Sequence, residues 1–153
     1  MSRTITILTF LLLTTCKVFG QTDTTFKKAD HYKTKRFNVA IFNSNYFDFF
    51  SGQRFTPTRQ EIDKAEFSLE TELKALNTQL VNQSSTPIIH KKLHKYKRQY
   101  FGYIDKNGDR ILLINCFWVK DNNDPDSWLK DRIVAYDGGS YYWNVSRPEI
   151  GLQ

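Results

Sequence analysis

From Lys95 to Val119 the chain reads KYKRQYFGYIDKNGDRILLINCFWV, two apolar runs broken by Asp105-Lys106-Asn107-Gly108. No other stretch limits the fold so strongly. Asn and Gly tolerate positive φ, and an Asp side chain at the head of a turn bonds the turn's own amides, so this is a β-hairpin with a defined point of reversal. Two registers fit it. A two-residue Asn107-Gly108 turn sets Tyr103 opposite Leu112, Phe101 opposite Ile114 and Gln99 opposite Cys116. A type I turn with a bulge at Gly108 shifts every pair by one residue and sets Phe101 opposite Leu113. Asp at the first turn position suits type I and favours the bulged form.

In either register both strand faces are apolar. Phe101 and Tyr103 lie on one side of the first strand, with Tyr96, Tyr100 and Ile104 on the other. On the second strand Ile111, Leu113 and Phe117 oppose Leu112, Ile114, Cys116 and Trp118. A strand apolar on both sides is central in its sheet and covered on each face. One cover is expected to be a helix. The other is a second layer, a partner chain or a ligand.

The helix is read upstream. Thr56-Pro57 opens it, and Thr58 with Glu61 has capping-box spacing. Ile62, Ala65, Leu69, Leu73, Leu76 and Leu80 then recur every three or four residues, while Glu61, Asp63, Lys64, Glu70 and Lys74 fall mostly elsewhere. The stripe predicts a helix to about Val81. Before it, Arg36 to Asn43 (RFNVAIFN) alternates as a strand does, and Tyr46 to Phe50 extends it or forms an aromatic bend. Ile88 to Tyr96 has helical spacing at Ile89, Leu93 and Tyr96, which predicts a short helix or a bent strand entry. Asp121 to Ser127 is an acidic loop. Trp128 to Tyr136 reads as a strand, or a helical turn plus a strand. Asp137-Gly138-Gly139 marks a second hairpin, and Ser140 to Ser146 is the last strand.

The start of the chain is a targeting segment. Ser2-Arg3 is short and positive, Ile5 to Leu13 is apolar, and Val18-Phe19-Gly20 ends on a small residue. This is the pattern of a secretory signal peptide cleaved after Gly20, too short for a stable membrane span. Leu13-Thr14-Thr15-Cys16 also resembles a bacterial lipobox, so a lipoprotein anchored through Cys16 is the alternative. A secreted or periplasmic chain is expected, with no transmembrane span once the segment is removed. Arg3 and Lys17 leave with it, so the formal net charge of +6 falls by two. That bias is too mild for a dedicated nucleic-acid protein, and no nucleic-acid partner is expected. Cys116 is then left without an intrachain partner and reads as a small buried hydrophobe. The domain reading is residues 1–20 as signal peptide, 21–35 as a polar, flexible leader and 36–153 as a single domain.

The order is strand, long helix, then four strands in two hairpins. This is α+β: one long amphipathic helix packed on a curved antiparallel sheet of four to five strands. Over Arg36 to Ser146 that order resembles the cystatin-like architecture, which includes PepSY-like and nuclear-transport-factor-like domains. The cystatins' glutamine-valine-glycine hairpin loop is not matched, because Gln99-Tyr100-Phe101-Gly102 separates Gln from Gly within a strand. Protease inhibition is therefore not implied. TPT..EI..AE from Thr56 and YKRQYFGYI from Tyr96 are similar to small uncharacterised secreted bacterial proteins, which implies an envelope location. In nuclear-transport-factor-like folds the cavity between helix and sheet holds an Asp-His or Asp-Tyr pair; the nearest residues here are Tyr100, Asn115 and Arg98.

Candidate chemistry is sparse. His90 and His94 share a helical face, but zinc needs a third protein ligand and His31 sits in the leader. Asp105, Asn107 and Asp109 alternate as in a calcium loop, yet Gly108 lies inside the triplet and Cys116 stands where a Glu is required. Asp121, Asp124 and Asp126 lack a full ligand set. No metal and no cofactor is expected. There is no GxSxG and no paired Cys and His, so no catalytic residue is assigned. His90 to Arg98 (HKKLHKYKR) is a basic run that suits a polyanion such as lipopolysaccharide or an anionic glycan. The expected function is a non-enzymatic binding domain that recognises a protein partner, of inhibitor or immunity type included. Its surface is an aromatic-basic sheet face drawn from Lys91, Lys92, Lys95, Lys97, Arg98, Tyr100, Trp118, Tyr142 and Trp143. A small hydrolase or isomerase with an interior cavity and a polyanion binder are the alternatives.

Overall fold

The computed structural model describes residues 29–46, 52–118 and 124–148. The expected signal segment, Cys16, most of the leader, the aromatic run 47–50 and residues 121–123 lie outside the described residues. What is described is α+β, one helix with a six-stranded, mostly antiparallel sheet.

The hairpin is its centre. β4 (Lys97–Ile104) and β5 (Arg110–Phe117) pair antiparallel with Phe101 opposite Leu113 and Ile104 opposite Arg110, the bulged register. Gly108 sits at φ 86°, where an L side chain is strained. Its amide donates to the Asp105 carbonyl at 3.0 Å. One Asp105 carboxylate oxygen accepts from the amides of Asn107 at 2.8 Å and Asp109 at 2.9 Å. The calcium-like triplet is thus a turn whose acid is occupied by its own backbone.

Four further strands complete the sheet. β1 (Asp30–Lys33), β2 (Asn38–Ile41) and β6 (Tyr142–Pro148) give the order β1-β2-β4-β5-β6, while the two-residue β3 (Arg54–Phe55) also pairs with β4. Three expectations are corrected here. The leader does not run to Lys35, because Asp30–Lys33 is an edge strand with Tyr32 opposite Val39. Its polar composition hid it, since an edge strand buries only one side chain in two and only Tyr32 is half-buried. The sheet is not antiparallel throughout, because β2 runs parallel to β4. The long connection from β2 to β4, through β3 and the helix, carries the chain back to enter β4 in the direction of β2. The strands number six, not four or five. At Gly102 a Cβ would lie 2.5 Å from the Phe55 carbonyl oxygen, so only glycine lets β3 approach β4.

α1 (Arg59–Leu76) covers one face. Its capping box is complete: the Thr58 hydroxyl accepts from the Glu61 amide, and the Glu61 carboxylate accepts from the Thr58 amide at 2.6 Å. Ile62, Ala65, Leu69 and Leu73 pack against Val39, Ile41, Tyr100, Leu112, Ile114 and Cys116. The expected length is corrected: the helix stops at Leu76 rather than near Val81, and Leu76 and Leu80 are 69% and 39% exposed. Asn77 ends it. The Asn77 and Gln83 amides bond each other reciprocally at 2.9 and 2.7 Å, and Leu80 and Asn82 turn the chain with φ of 48° and 57°. Side-chain amides here outcompete the helical ladder.

The opposite face is covered by the chain itself. Ala40, Phe42, Phe101, Leu113 and Phe117 pack with Ala29, Trp128 and Leu129. The expected strand Trp128 to Tyr136 is not formed, nor the hairpin at Asp137-Gly138-Gly139: Ser127–Leu129 and Gly139–Tyr141 are 3-10 turns, and β6 takes the edge of β5 instead. Two interior amides satisfy the backbone that a ladder would otherwise serve. Gln99 Nε2 donates to the carbonyls of Trp128 and Asp131, both at 2.7 Å, and its Oε1 accepts from the Ile133 amide at 2.9 Å. Asn115 Nδ2 donates to the Ile133 carbonyl at 2.7 Å and to Gln99 Oε1 at 2.9 Å.

Candidate functional site

The basic run lies across the C-terminal half of α1. It forms two 3-10 turns, Ile89–Lys91 and Leu93–Lys95, in place of the expected single helix or strand entry. Leu93 and Tyr96 face the core, and the Tyr96 hydroxyl donates to the Ser140 carbonyl at 2.7 Å. Gln83 Oε1 accepts from the Ile89 amide at 2.9 Å, and the Asn77 amide bonds His90 Nδ1 at 3.1 Å. With the apolar positions turned inward, Lys91, Lys92, His94 and Lys95 are exposed. Their side chains carry no hydrogen-bond or ion-pair partner among the described residues.

Arg98 turns the other way. It is 1% exposed, at the start of a strand whose even positions face α1. Its Nη2 donates to the Leu93 carbonyl at 2.9 Å and its Nε lies 3.4 Å from Glu66 Oε1. The same Glu66 oxygen accepts from the Tyr100 hydroxyl at 2.8 Å. Burial raises the Glu66 carboxyl above its ordinary value, against the opposing pull of Arg98 and Tyr100. Burial likewise pushes the Tyr100 hydroxyl well up, and the Cys116 thiol beside them, so that Cys116 stays protonated and unreactive in this setting. Arg98 Nε and Nη1 are buried with no hydrogen-bond partner among the described residues. A buried guanidinium N–H in that state is uncommon and calls for an explanation.

Between these turns, α1 and the β1–β2 connection lies a cleft of about 210 Å³. Its walls are Arg36, Glu70, His90, Lys91, Leu93, His94 and Arg98. Arg36 forks onto Glu70, with Nε donating to Oε1 at 3.0 Å and Nη2 to the second oxygen. Arg36 and Lys91 stand at the cleft with the buried guanidinium of Arg98 in its wall, and Glu70 is the carboxylate among the lining residues, while Glu66 pairs with Arg98. The arrangement suits anions.

The expected aromatic-basic face is not assembled. Arg98 and Tyr100 are interior. Trp118 and Trp143 are half-buried against Tyr96, each with ring centroids 5.8 Å away, on the helix side of the sheet. Tyr142 packs on the opposite side, and the Lys97 ammonium sits 4.9 Å from the Trp128 ring there. Only Lys91, Lys92 and Lys95 are exposed as expected. The grouping of Tyr100, Asn115 and Arg98 is also not formed. Asn115 lies opposite Gln99, on the other face from Tyr100 and Arg98. Only the two-residue turn would have placed Asn115 beside Tyr100, so the one-residue shift at Gly108 dissolves the grouping. Among the described residues no three His, Cys, Asp or Glu side chains gather to hold a metal, and no helix is long and apolar enough to cross a membrane.

Arg36, Glu66 and Glu70 were missed as site residues. Glu66 left a trace, since it falls one turn after Ile62 on the apolar stripe. Arg36 and Glu70 left none, because they are 34 residues apart. Comparison of the chain with protein-family models, with curated proteins and with solved structures found no match.

Proposed function

We propose that this protein is an exported, non-enzymatic binding domain whose cationic cleft takes the anionic groups of a glycan or a lipid headgroup. The observation that carries the reading is Arg98, a buried guanidinium in the cleft wall whose Nε and Nη1 have no hydrogen-bond partner among the described residues. Exposed Lys91, Lys92 and Lys95 around it supply a field that draws polyanions in. Ile62, Ala65, Leu69 and Leu73 of α1 pack directly on Val39, Tyr100, Leu112 and Ile114 of the sheet, which supports a binder over an enzyme with a large interior cavity. Export rests on the signal-like segment ending at Gly20. Heparin and lipopolysaccharide retention is the test. The wild-type chain is expected to be retained and to elute with rising salt, while Lys91→Glu/Lys92→Glu passes through. Equal retention of the two overturns the proposal.

A protein partner is the second reading, and one observation favours it. Trp118 and Tyr141 meet with ring centroids 5.7 Å apart, and Tyr141 is 39% exposed. Such residues anchor protein interfaces. The proposed cystatin-like likeness in element order fits a binding role and assigns no partner. Capture from periplasm and culture medium that is lost in Trp118→Ala but kept in Lys91→Glu would favour this reading.

A further inference from the structure

We infer that the cleft holds a single phosphate-type oxyanion, and that Glu70 sets its affinity by competing with it for Arg36. The inference rests on the anion-binding reading above and narrows it to one group. A cleft of about 210 Å³ is roomy enough for one such group. Its cations are already arranged for bidentate recognition. Arg36 grips the Glu70 carboxylate through both Nε and Nη2, the fork geometry that guanidinium offers to carboxylate and phosphate alike. Glu70 thereby stands where an incoming anion would stand.

Arg98 supplies the fixed wall. Its Nη2 donates to the Leu93 carbonyl and its Nε lies 3.4 Å from Glu66, which fixes the guanidinium in place, while Nε and Nη1 have no hydrogen-bond partner among the described residues. Lys91 adds a mobile ammonium whose side chain has no partner among the described residues. A carboxylate offers only two oxygens, and Glu70 already provides one such group. A tetrahedral oxyanion offers more acceptors, enough to meet Arg36 and Lys91 together, with the positive charge of Arg98 in the wall beside them. Glu70 opposes it directly, and Glu66 opposes it from behind Arg98.

Calorimetric titration with inorganic phosphate and with acetate tests this. Phosphate is expected to bind and acetate to bind at least tenfold more weakly, on the order expected for losing one charge-assisted bond. Glu70→Gln is expected to tighten phosphate about tenfold, and Arg36→Gln to weaken it by about the same factor. Both side chains are surface-exposed, so both variants are expected to melt as the wild type does. The source of the group is then separated by two probes, a soluble sugar phosphate and phosphatidylglycerol vesicles. Preference for either one is consistent with the subsite and names its origin. Equal binding of acetate and phosphate, or phosphate affinity indifferent to both variants, overturns the inference. If that happens while heparin retention still depends on Lys91 and Lys92, the phosphate subsite falls and the broader reading stands. If heparin is not retained and phosphate does not bind, both fall.

Discussion

Glu66 occupies a helix position that would ordinarily hold an aliphatic side chain, one turn after Ile62 and next to Leu69 on the covered stripe. It is tolerated there because Arg98 and the Tyr100 hydroxyl meet its carboxylate at 3.4 and 2.8 Å. A buried ion pair is weak evidence for stability, since desolvation offsets the attraction. Its titration, however, has a definite sign. Burial raises the folded carboxyl, whereas in the unfolded chain it ionises at its ordinary value of about 4.3. Between the two values the folded state holds the extra proton. The resulting stabilisation is full below the unfolded value and is lost as pH rises through the folded one. The stability of the wild type relative to Glu66→Gln is therefore expected to fall as pH is raised from about 4, measured by urea unfolding at successive pH values. A gap that does not change with pH would contradict the raised carboxyl. The presence of an acid on the stripe was legible from its spacing. Its partners were not, because Arg98 and Tyr100 are 32 and 34 residues away and reach it only when α1 lies on β4.

At the scale of the element, the start of α1 was legible and its end was not. Thr58, Glu61 and the stripe from Ile62 to Leu73 are local signals, and each is realised. The stripe continues in sequence through Leu76 and Leu80, but the Asn77–Gln83 amide pair breaks the helix first. Paired substitutions separate the two segments. Leu73→Asp is expected to cost several kcal/mol and to abolish cooperative unfolding, since it buries a charge against the sheet. Leu76→Asp is expected to shift stability by less than about 0.5 kcal/mol, as exposed positions do. Comparable losses in the two would place the helix end wrongly. The same distinction holds for the strands. β4 and β5 announced themselves through alternation and a turn, while polar β1 and two-residue β3 are strands only because a neighbour's edge is there to pair with them.

The described residues form a sheet with a different cover on each face, a helix on one and the chain from Trp128 to Ile133 on the other. Gln99 and Asn115 hold the second cover by its backbone. Gln99→Ala leaves the carbonyls of Trp128 and Asp131 and the amide of Ile133 without their buried partner, which costs about 1–3 kcal/mol per stranded group. Faster amide exchange is expected at Ile133 while α1 exchanges as in the wild type; uniform protection in the variant would refute the clamp. The cleft belongs to this scale too, because its walls come from the β1–β2 connection, α1, the 3-10 turns and β4.

What the sequence determined by itself is whatever acts over a few residues: the reversal at Gly108, the capping box at Thr58, the stripe that covers one face, and the double-sided apolarity that called for a second cover; of the two registers that the turn allows, the pairing in the sheet selected the bulged one. Only the tertiary structure decided that Arg98 and Tyr100 are interior, that β2 runs parallel to β4, that Trp128 to Tyr136 is not a strand, and that Arg36 meets Glu70 beside Lys91. Those outcomes depend on which backbone groups find a partner once the layers have closed. Hydrophobic periodicity reports a residue's preference for the inside, and it carries no term for a long-range hydrogen bond that makes an arginine or a glutamine equally at home there.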